Sequence, residues 1–396
     1  MKGSKVRYDP STAFYAELKR RVEDYLKATG RSPRDIPPMY VKTVMMLSWC
    51  AVSYGLLVFA AGTGWQGLLL AVSLGLAMAG IGFNVQHDGA HGAYSQRRSV
   101  NRFMAMTLDM LGGSSYLWRW KHNVFHHNYP NVAGADDDID IGPLGRLSPD
   151  QPLYRIHRFQ HLYMWALYGF ITLKWQLFDD FRDLVRGTMG GHRIPRPRGW
   201  DLVVLLGGKA LFFGLAFVVP ALFHPLRDVV VFYGVTSFTL GVTLGVVFQL
   251  AHCVEEASFP RPLEGTYRME KEWAAHQVET TVDFARSNRL LTWYLGGLNF
   301  QIEHHLFPGI CHVHYPALSA IVEPVCAQFG VRYSAHTTAR GALASHFRLL
   351  RMDRLGGPES VAGREADDAR RAARAAEARG PTVAQDLEAT DTLMKR

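Results

Sequence analysis

The residues best suited to chemistry in this 396-residue chain are histidines, and they come in clusters. HDGAH holds His87 and His91; HNVFHH holds His122, His126 and His127; AHC holds His252; QIEHH holds Gln301, His304 and His305. Adjacent histidines make poor core residues and good metal ligands. On a helix, residues four apart share a face, about 6 Å apart along the axis. Pairs such as His87 with His91 or His122 with His126 can therefore aim two rings at one point. His127 and His305 sit about 100° around from their neighbours and suit a second ion. Eight imidazoles exceed the needs of one ion, and two ions with about four ligands each is the economical count. Imidazole binds iron, zinc, copper and nickel. Zinc does no redox chemistry, so a site this rich in nitrogen and open to an apolar substrate points to iron and oxygen chemistry.

The elements that must position these rings are membrane spans. No formal charge occurs from Thr43 to His87 or from Val229 to His252. A bilayer-crossing helix needs about 20 apolar residues, so the first run holds two spans (44–61 and 68–86) and the second holds one (229–250). A further span, 202–223, carries Lys209, which either snorkels or marks the membrane boundary. With four spans, the ends of the second and fourth lie on one side of the bilayer. His87 and His252 close those spans, and the other clusters follow in the same flanking segments, so all eight histidines can meet at one mouth. The fold class expected is an all-α membrane protein, with four transmembrane helices and a cytoplasmic helical cap holding a His-rich di-metal site. Lys and Arg crowd the N-terminus, the 87–199 segment and the C-terminal part, while the short turns at 62–67 and 224–228 hold one Arg. The positive-inside rule then puts the site on the cytoplasmic side.

Here a resemblance becomes specific. HDGAH, HNVFHH and QIEHH look like the three histidine boxes HxxxH, HxxxHH and QxxHH of the integral-membrane fatty acid desaturases, in order. The Gln-first third box, followed by LFP, resembles the front-end, linoleoyl-CoA desaturase-like branch. The resemblance implies two iron ions held without bridging carboxylates, O2 as co-substrate, and removal of two hydrogens from adjacent carbons of a fatty acyl chain. It carries His87, His91, His122, His126, His127, His252, His304 and His305 over as ligands, His252 as an additional one. Gln301 stands where other branches have a ninth histidine, and it either ligates weakly, binds through a water or orients a neighbour. The nearest alternative is a hydroxylase or ketolase on the same scaffold; a metal transporter or haem carrier is more remote, because its ligands would lie deep within the spans.

The haem motif His-Pro-Gly-Gly of some relatives is not in this sequence, so electrons are expected from a separate donor: a cytochrome b5-like protein, ferredoxin or rubredoxin. The net charge of +8 fits membrane lipids and an acidic carrier; no motif for reading nucleic acid accompanies it. The acyl group is expected on coenzyme A, acyl carrier protein or a lipid, in a tunnel lined by spans two and four and by Tyr116, Leu117, Trp118 and Trp120. Asp88, Asp137 and Glu303 are candidates to hold imidazole N–H groups. His157 and His161, a further HxxxH, read as surface residues; His312 and His314 rank below the eight. The four cysteines lack CxxC spacing and read as reduced thiols. Three regions are expected: 1–42 with an amphipathic helix, 43–351 as the transmembrane and cytoplasmic unit, and 352–396 as a disordered or loosely helical charged tail. The amphipathic helix, with Phe14, Leu18, Val22, Tyr25 and Leu26 on one face, suits the membrane surface or the protein's own cap equally.

Overall fold

The computed structural model describes residues 6–62, 64–190, 192–263 and 266–351; the expected tail lies outside them. A first helix, α1 (Ala13–Thr29), precedes two spans, α2 (Pro37–Phe59) and α3 (Gly64–Ala90). Then come α4 (Arg98–Ala105) and α5 (Gln160–Lys174), two more spans, α6 (Trp200–Ala221) and α7 (Leu226–His252), and a run of shorter helices: α8 (Trp273–Thr280), α9 (Gln301–Leu306), α10 (Tyr315–Phe329) and α11 (Ala339–Leu350). Among the described residues, these four spans of 23, 27, 22 and 27 residues are the helices long and apolar enough to cross a bilayer. Among the described residues, strand is confined to two-residue pairs.

Three of the four spans are longer than the charge-free runs suggest, and α6 keeps the expected length two residues earlier. α2 starts at Pro37, where proline's fixed φ suits a first helical turn, and takes in Lys42. That lysine is buried because its Nζ donates to His312 Nε2 (3.0 Å), while His312 Nδ1–H donates to Asp88 Oδ2 (2.9 Å). The outer surfaces of the spans carry the expected lipid-facing side chains: Val44, Phe59, Leu69, Leu206, Val218 and Val230 are all exposed. α5 packs across α7 at glycines. A Cβ at Gly241 would lie 2.6 Å from the Gly169 carbonyl oxygen, so only glycine permits this approach. Thr172 Oγ1 then donates to Ser237 O (2.5 Å). As the interruptions by His161 and Lys174 imply, α5 is not itself a span; Phe170 and Leu162 are left exposed on its outer face.

Lys209 neither snorkels nor marks a boundary. It sits within α6, buried, and its Nζ donates to Asp180 Oδ2 (2.7 Å) and to Gly112 O (2.7 Å). A charge in hydrocarbon is tolerable when paired and hydrogen-bonded, and here the pair ties the loop that leads to the second histidine cluster onto the span. The amphipathic α1 also finds its partner within the protein. Phe14, Leu18 and Val22 are buried in a cluster with Val278, Phe300, Leu318 and Val322, so its apolar face belongs to the cap and not to the lipid surface. His157 departs from the surface reading: it is buried, and its Nε2–H donates to Pro143 O (2.9 Å), while His161 is half-buried.

Breaking one member of a buried ion pair costs about 3–5 kcal/mol, whereas replacing both with apolar groups of similar volume is close to neutral. Lys209→Met is therefore expected to lower the melting temperature of the detergent-solubilised protein sharply, and Lys209→Met with Asp180→Leu to recover most of the loss. Equal melting of the single variant and wild type would show the pair to be dispensable.

Candidate metal centre

The eight sequence-selected histidines come together. His87 and His91 lie at the cap end of α3, and His252 is the last residue of α7. His304 and His305 stand on α9, and His122 and His126 on the π-helical turn Arg119–His126, with His127 next. Every one except the half-buried His91 is buried. Ring nitrogens of His87, His91, His122 and His304 lie within 4.8 Å of one another, as do those of His126, His252 and His305. His127 joins the two groups: its Nε2 is 3.0 Å from His304 Nε2 and 3.2 Å from His122 Nε2, and its ring stacks on His305 at 4.4 Å.

The division between groups is not the one that α-helical spacing predicts. His122 and His126, expected to share a target, do meet beside Asp138 through their Nδ1 atoms, yet His122 also groups with His87, His91 and His304 while His126 groups with His252 and His305. The cause is the π-turn, whose i→i+5 hydrogen bonds put residues five apart in register. His127 N–H donates to His122 O (3.0 Å), and it is His122 and His127 whose Nε2 atoms meet. His87 and His91, on α-helix, behave as expected, with ring centroids 4.7 Å apart.

Hydrogen bonds at the outer ring nitrogens fix several of these rings. His126 Nδ1–H donates to both Asp136 oxygens (3.1 Å), and His305 Nδ1–H donates to Gln277 Oε1 (2.8 Å). His304 Nδ1 bonds the Tyr315 hydroxyl (3.2 Å). Asp136 is held in turn by the backbone N–H groups of Asn131 (2.9 Å) and Asp138 (3.0 Å). The Nε2 atoms of His87, His91, His126 and His305 are buried with no protein partner. Buried nitrogens without partners are costly, and a group of inward lone pairs, with the far nitrogens of His126, His304 and His305 tied off, is an arrangement that suits a bound metal. Burial, reinforced by neighbouring rings, holds His91, His127, His304 and His305 well below the usual imidazole range, so these rings are neutral donors. His126 is different: burial lowers it, but the carboxylates of Asp136 and Asp138 outweigh that and raise it.

Of the carboxylates picked out from the sequence, none serves the eight rings directly. Asp88 holds His312, Asp137 faces Lys121 (3.7 Å), and Glu303 points away to the Tyr333 hydroxyl (3.0 Å). The carboxylates that do serve them are Asp136 and Asp138, the latter 3.6 Å from His126 Nδ1 and 3.8 Å from His122 Nδ1. The run ADDDID, 135–140, a few residues after the second cluster, was the available signal. Gln301 lies buried with its Nε2 3.0 Å from His252 Nε2, so it contacts a ring of the second group. His312 and His314 stay outside both groups; His314 Nε2–H donates to Ser32 O (2.9 Å).

A family model for fatty acid desaturases matches residues 63–337. The chain belongs to this family. It is 42% identical over 349 residues to an sn-1 linoleoyl-lipid 6-desaturase of Arthrospira platensis, an alignment spanning 88% of this chain and 94% of that protein. It is 39% identical over 347 residues to a protein of the same description from Synechocystis sp., covering 87% and 97%. An acyl-lipid (8-3)-desaturase of Physcomitrium patens is 37% identical over 342 residues, 85% of this chain and 71% of that protein. This desaturase is therefore an oxidoreductase and, with its four apolar helices, a membrane protein. The front-end branch resembled by the third cluster is the one these relatives support.

Loss of a partner that orients a metal-bound histidine typically costs 10–100-fold in metal affinity. Asp136→Asn should lower metal retention by about that range, read as metal content after dialysis against a graded series of chelator concentrations. Wild-type retention in this variant would mean that Asp136 has no hold on the site.

Proposed function

We propose that this chain inserts a double bond into a fatty acyl chain carried by a membrane lipid, using O2, two electrons and two iron ions held by His87, His91, His122, His126, His127, His252, His304 and His305. The observation that carries this reading is the convergence of those eight rings, with lone pairs turned inward, at the ends of spans α3 and α7. The donor set is imidazole throughout, which suits iron. Bound iron would supply the oxidising power that a strong, unactivated methylene C–H bond demands and that acid–base groups lack. The overall reaction removes two hydrogens from adjacent carbons, reduces O2 to two waters, and takes up two electrons and two protons.

The protein's own part is to bind, orient and exclude water. Asp136, Gln277 and Tyr315 fix the rings of His126, His305 and His304, and Gln301 is proposed to orient His252. Trp118 stacks on His122 with centroids 4.7 Å apart and covers that side of the site. An apolar cavity of about 390 Å³ lies among the four spans, within the size range of small-ligand sites. Leu47, Met78, Met110 and Leu111 line one part of it and Val58, Ala216, Pro220 and His224 another. Met78 and Leu74 stand roughly 13 and 20 Å from His87 along the helix, a depth suited to the methyl end of an acyl chain. Tyr116, Leu117, Trp118 and Trp120, expected as tunnel walls, do not line this cavity. The names of the relatives favour an acyl-lipid over a soluble thioester as the carrier. Electrons are taken from a separate carrier of the cytochrome b5, ferredoxin or rubredoxin kind, on the cytoplasmic side, where positive-inside reasoning puts the cap.

Expression in a host with a simple fatty acid profile should yield a new product lighter by two hydrogens, located by mass spectrometry, and His126→Ala should abolish it. A product heavier by one oxygen atom would replace desaturation with hydroxylation. Narrowing the cavity with Ala216→Phe should depress turnover of longer acyl chains more than shorter ones in the same assay. An unchanged chain-length profile would place the tail elsewhere.

A further inference from the structure

Beside the metal centre lies a strongly basic surface that the reaction chemistry leaves unused. It is assembled from three stretches. Arg98 and Arg102 share a face of α4, being four residues apart. Arg119 opens the π-turn that carries His122. Arg193, Arg196 and Arg198 stand exposed on the strand pair and Pro-rich connector ahead of α6. Their contacts make one surface of them. Asp201 accepts from Arg102 Nη2 (2.7 Å) and lies 4.0 Å from Arg119 Nη2, Tyr116 OH donates to Pro195 O (2.6 Å), and Asp201 N–H donates to Arg198 O (3.2 Å). Two of these arginines thus flank a single carboxylate, and among the described residues Arg98, Arg193, Arg196 and Arg198 have no carboxylate partner.

The position of this surface identifies its occupant. Trp200 is the first residue of the span α6 and is 57% exposed; Phe103, beside Arg102, is 66% exposed. An exposed aromatic at the start of a span sits at headgroup level, so the arginines reach the layer where lipid phosphates lie. A soluble protein docking here would have to cover side chains that suit lipid. Arg119 also precedes His122 by one turn of the same helical run, so an anion held here lies next to the site.

We propose that Arg98, Arg102, Arg119, Arg193, Arg196 and Arg198 dock the phosphate of an anionic membrane lipid, the headgroup of the acyl-lipid substrate. The inference rests on the acyl-lipid reading above. It makes the headgroup an anchor that sets how far the acyl chain enters, and so which carbons face the metal centre.

The test uses the full-length iron-loaded protein in neutral detergent, offered equal amounts of dioleoyl phosphatidylglycerol and dioleoyl phosphatidylcholine, with retained lipid read by native mass spectrometry. A basic residue at an anionic surface contributes about fivefold in affinity. Wild type should favour phosphatidylglycerol, Arg196→Gln with Arg198→Gln should lower that preference about 25-fold, and the corresponding lysine pair should keep most of it. Equal retention of the two lipids by wild type, or an unaltered preference in the glutamine pair, overturns the proposal. So does displacement of the lipid by equimolar coenzyme A, which would assign the arginines to a soluble thioester. A glutamine pair that keeps its lipid preference but loses affinity for reduced plant-type ferredoxin would assign them to a carrier protein, and also overturns it. Product analysis on the same preparation separates this from the parent reading. A selective protein that forms no double bond supports the docking surface and counts against desaturation. An active protein without selectivity does the reverse.

Discussion

The structure depends on one constraint: neutral imidazole nitrogens must be buried together without protein partners. A buried polar atom left unpaired costs on the order of 1–3 kcal/mol, and several such atoms point into one small volume here. No packing argument favours that. It is tolerable only if something within the volume accepts the lone pairs, and it persists only if each ring is held from behind. Asp136, Gln277 and Tyr315 do this for His126, His305 and His304, and Asp136 is itself anchored by backbone N–H groups. The cap exists around this arrangement, with α1, α8 and α10 enclosing α9 in an apolar cluster.

The spans supply the second half of the constraint. His87 and His252 arrive on rods that start at the opposite end of the bundle, and the rods must lie close together for their last turns to meet. Glycine makes this possible: a Cβ on Gly75 would lie 2.6 Å from the Thr236 carbonyl oxygen. Small residues at helix contacts are what membrane packing uses when hydrophobic driving force is absent between apolar helices. The same spans leave the apolar cavity between them, so one packing solution both aligns ligands and makes room for a chain. The Lys209–Asp180 pair then fixes the loop running from Leu111 toward the π-turn.

Buried ionisable groups away from the rings serve the fold. Lys42, His312 and Asp88 form a chain linking α2, the segment after α9 and the residue next to His87. His276 donates to Pro130 O (3.0 Å), and the hydroxyl of Tyr168 bonds His346 (2.7 Å). Burial lowers both His276 and His346 to about 4. Because their folded pKa lies below the unfolded value of about 6.5, they contribute stability above that pH and lose it as pH falls toward 4. These histidines were indistinguishable from ligands by residue type alone; what separates them is that each has its protein acceptor or donor.

The sequence by itself determined the class of fold and singled out the histidines of the candidate site. Charge-free runs of span length and histidines at the ends of alternate spans are local or nearly local facts, and a bilayer converts them into topology with few alternatives. It also contained the family, since three ordered motifs are a property of the chain. Tertiary structure alone decided how the eight rings divide, because a π-turn changes the register by one residue and nothing in HNVFHH announces it. It decided which carboxylates stand behind the rings, selecting Asp136 over Asp88, Asp137 and Glu303, since the identity of a hydrogen-bond partner depends on where a side chain ends in space. It decided as well that α1 turns its apolar face to the cap, a choice to which helical periodicity is blind: the same stripe satisfies lipid or protein, and only the shape of the neighbouring surface separates them.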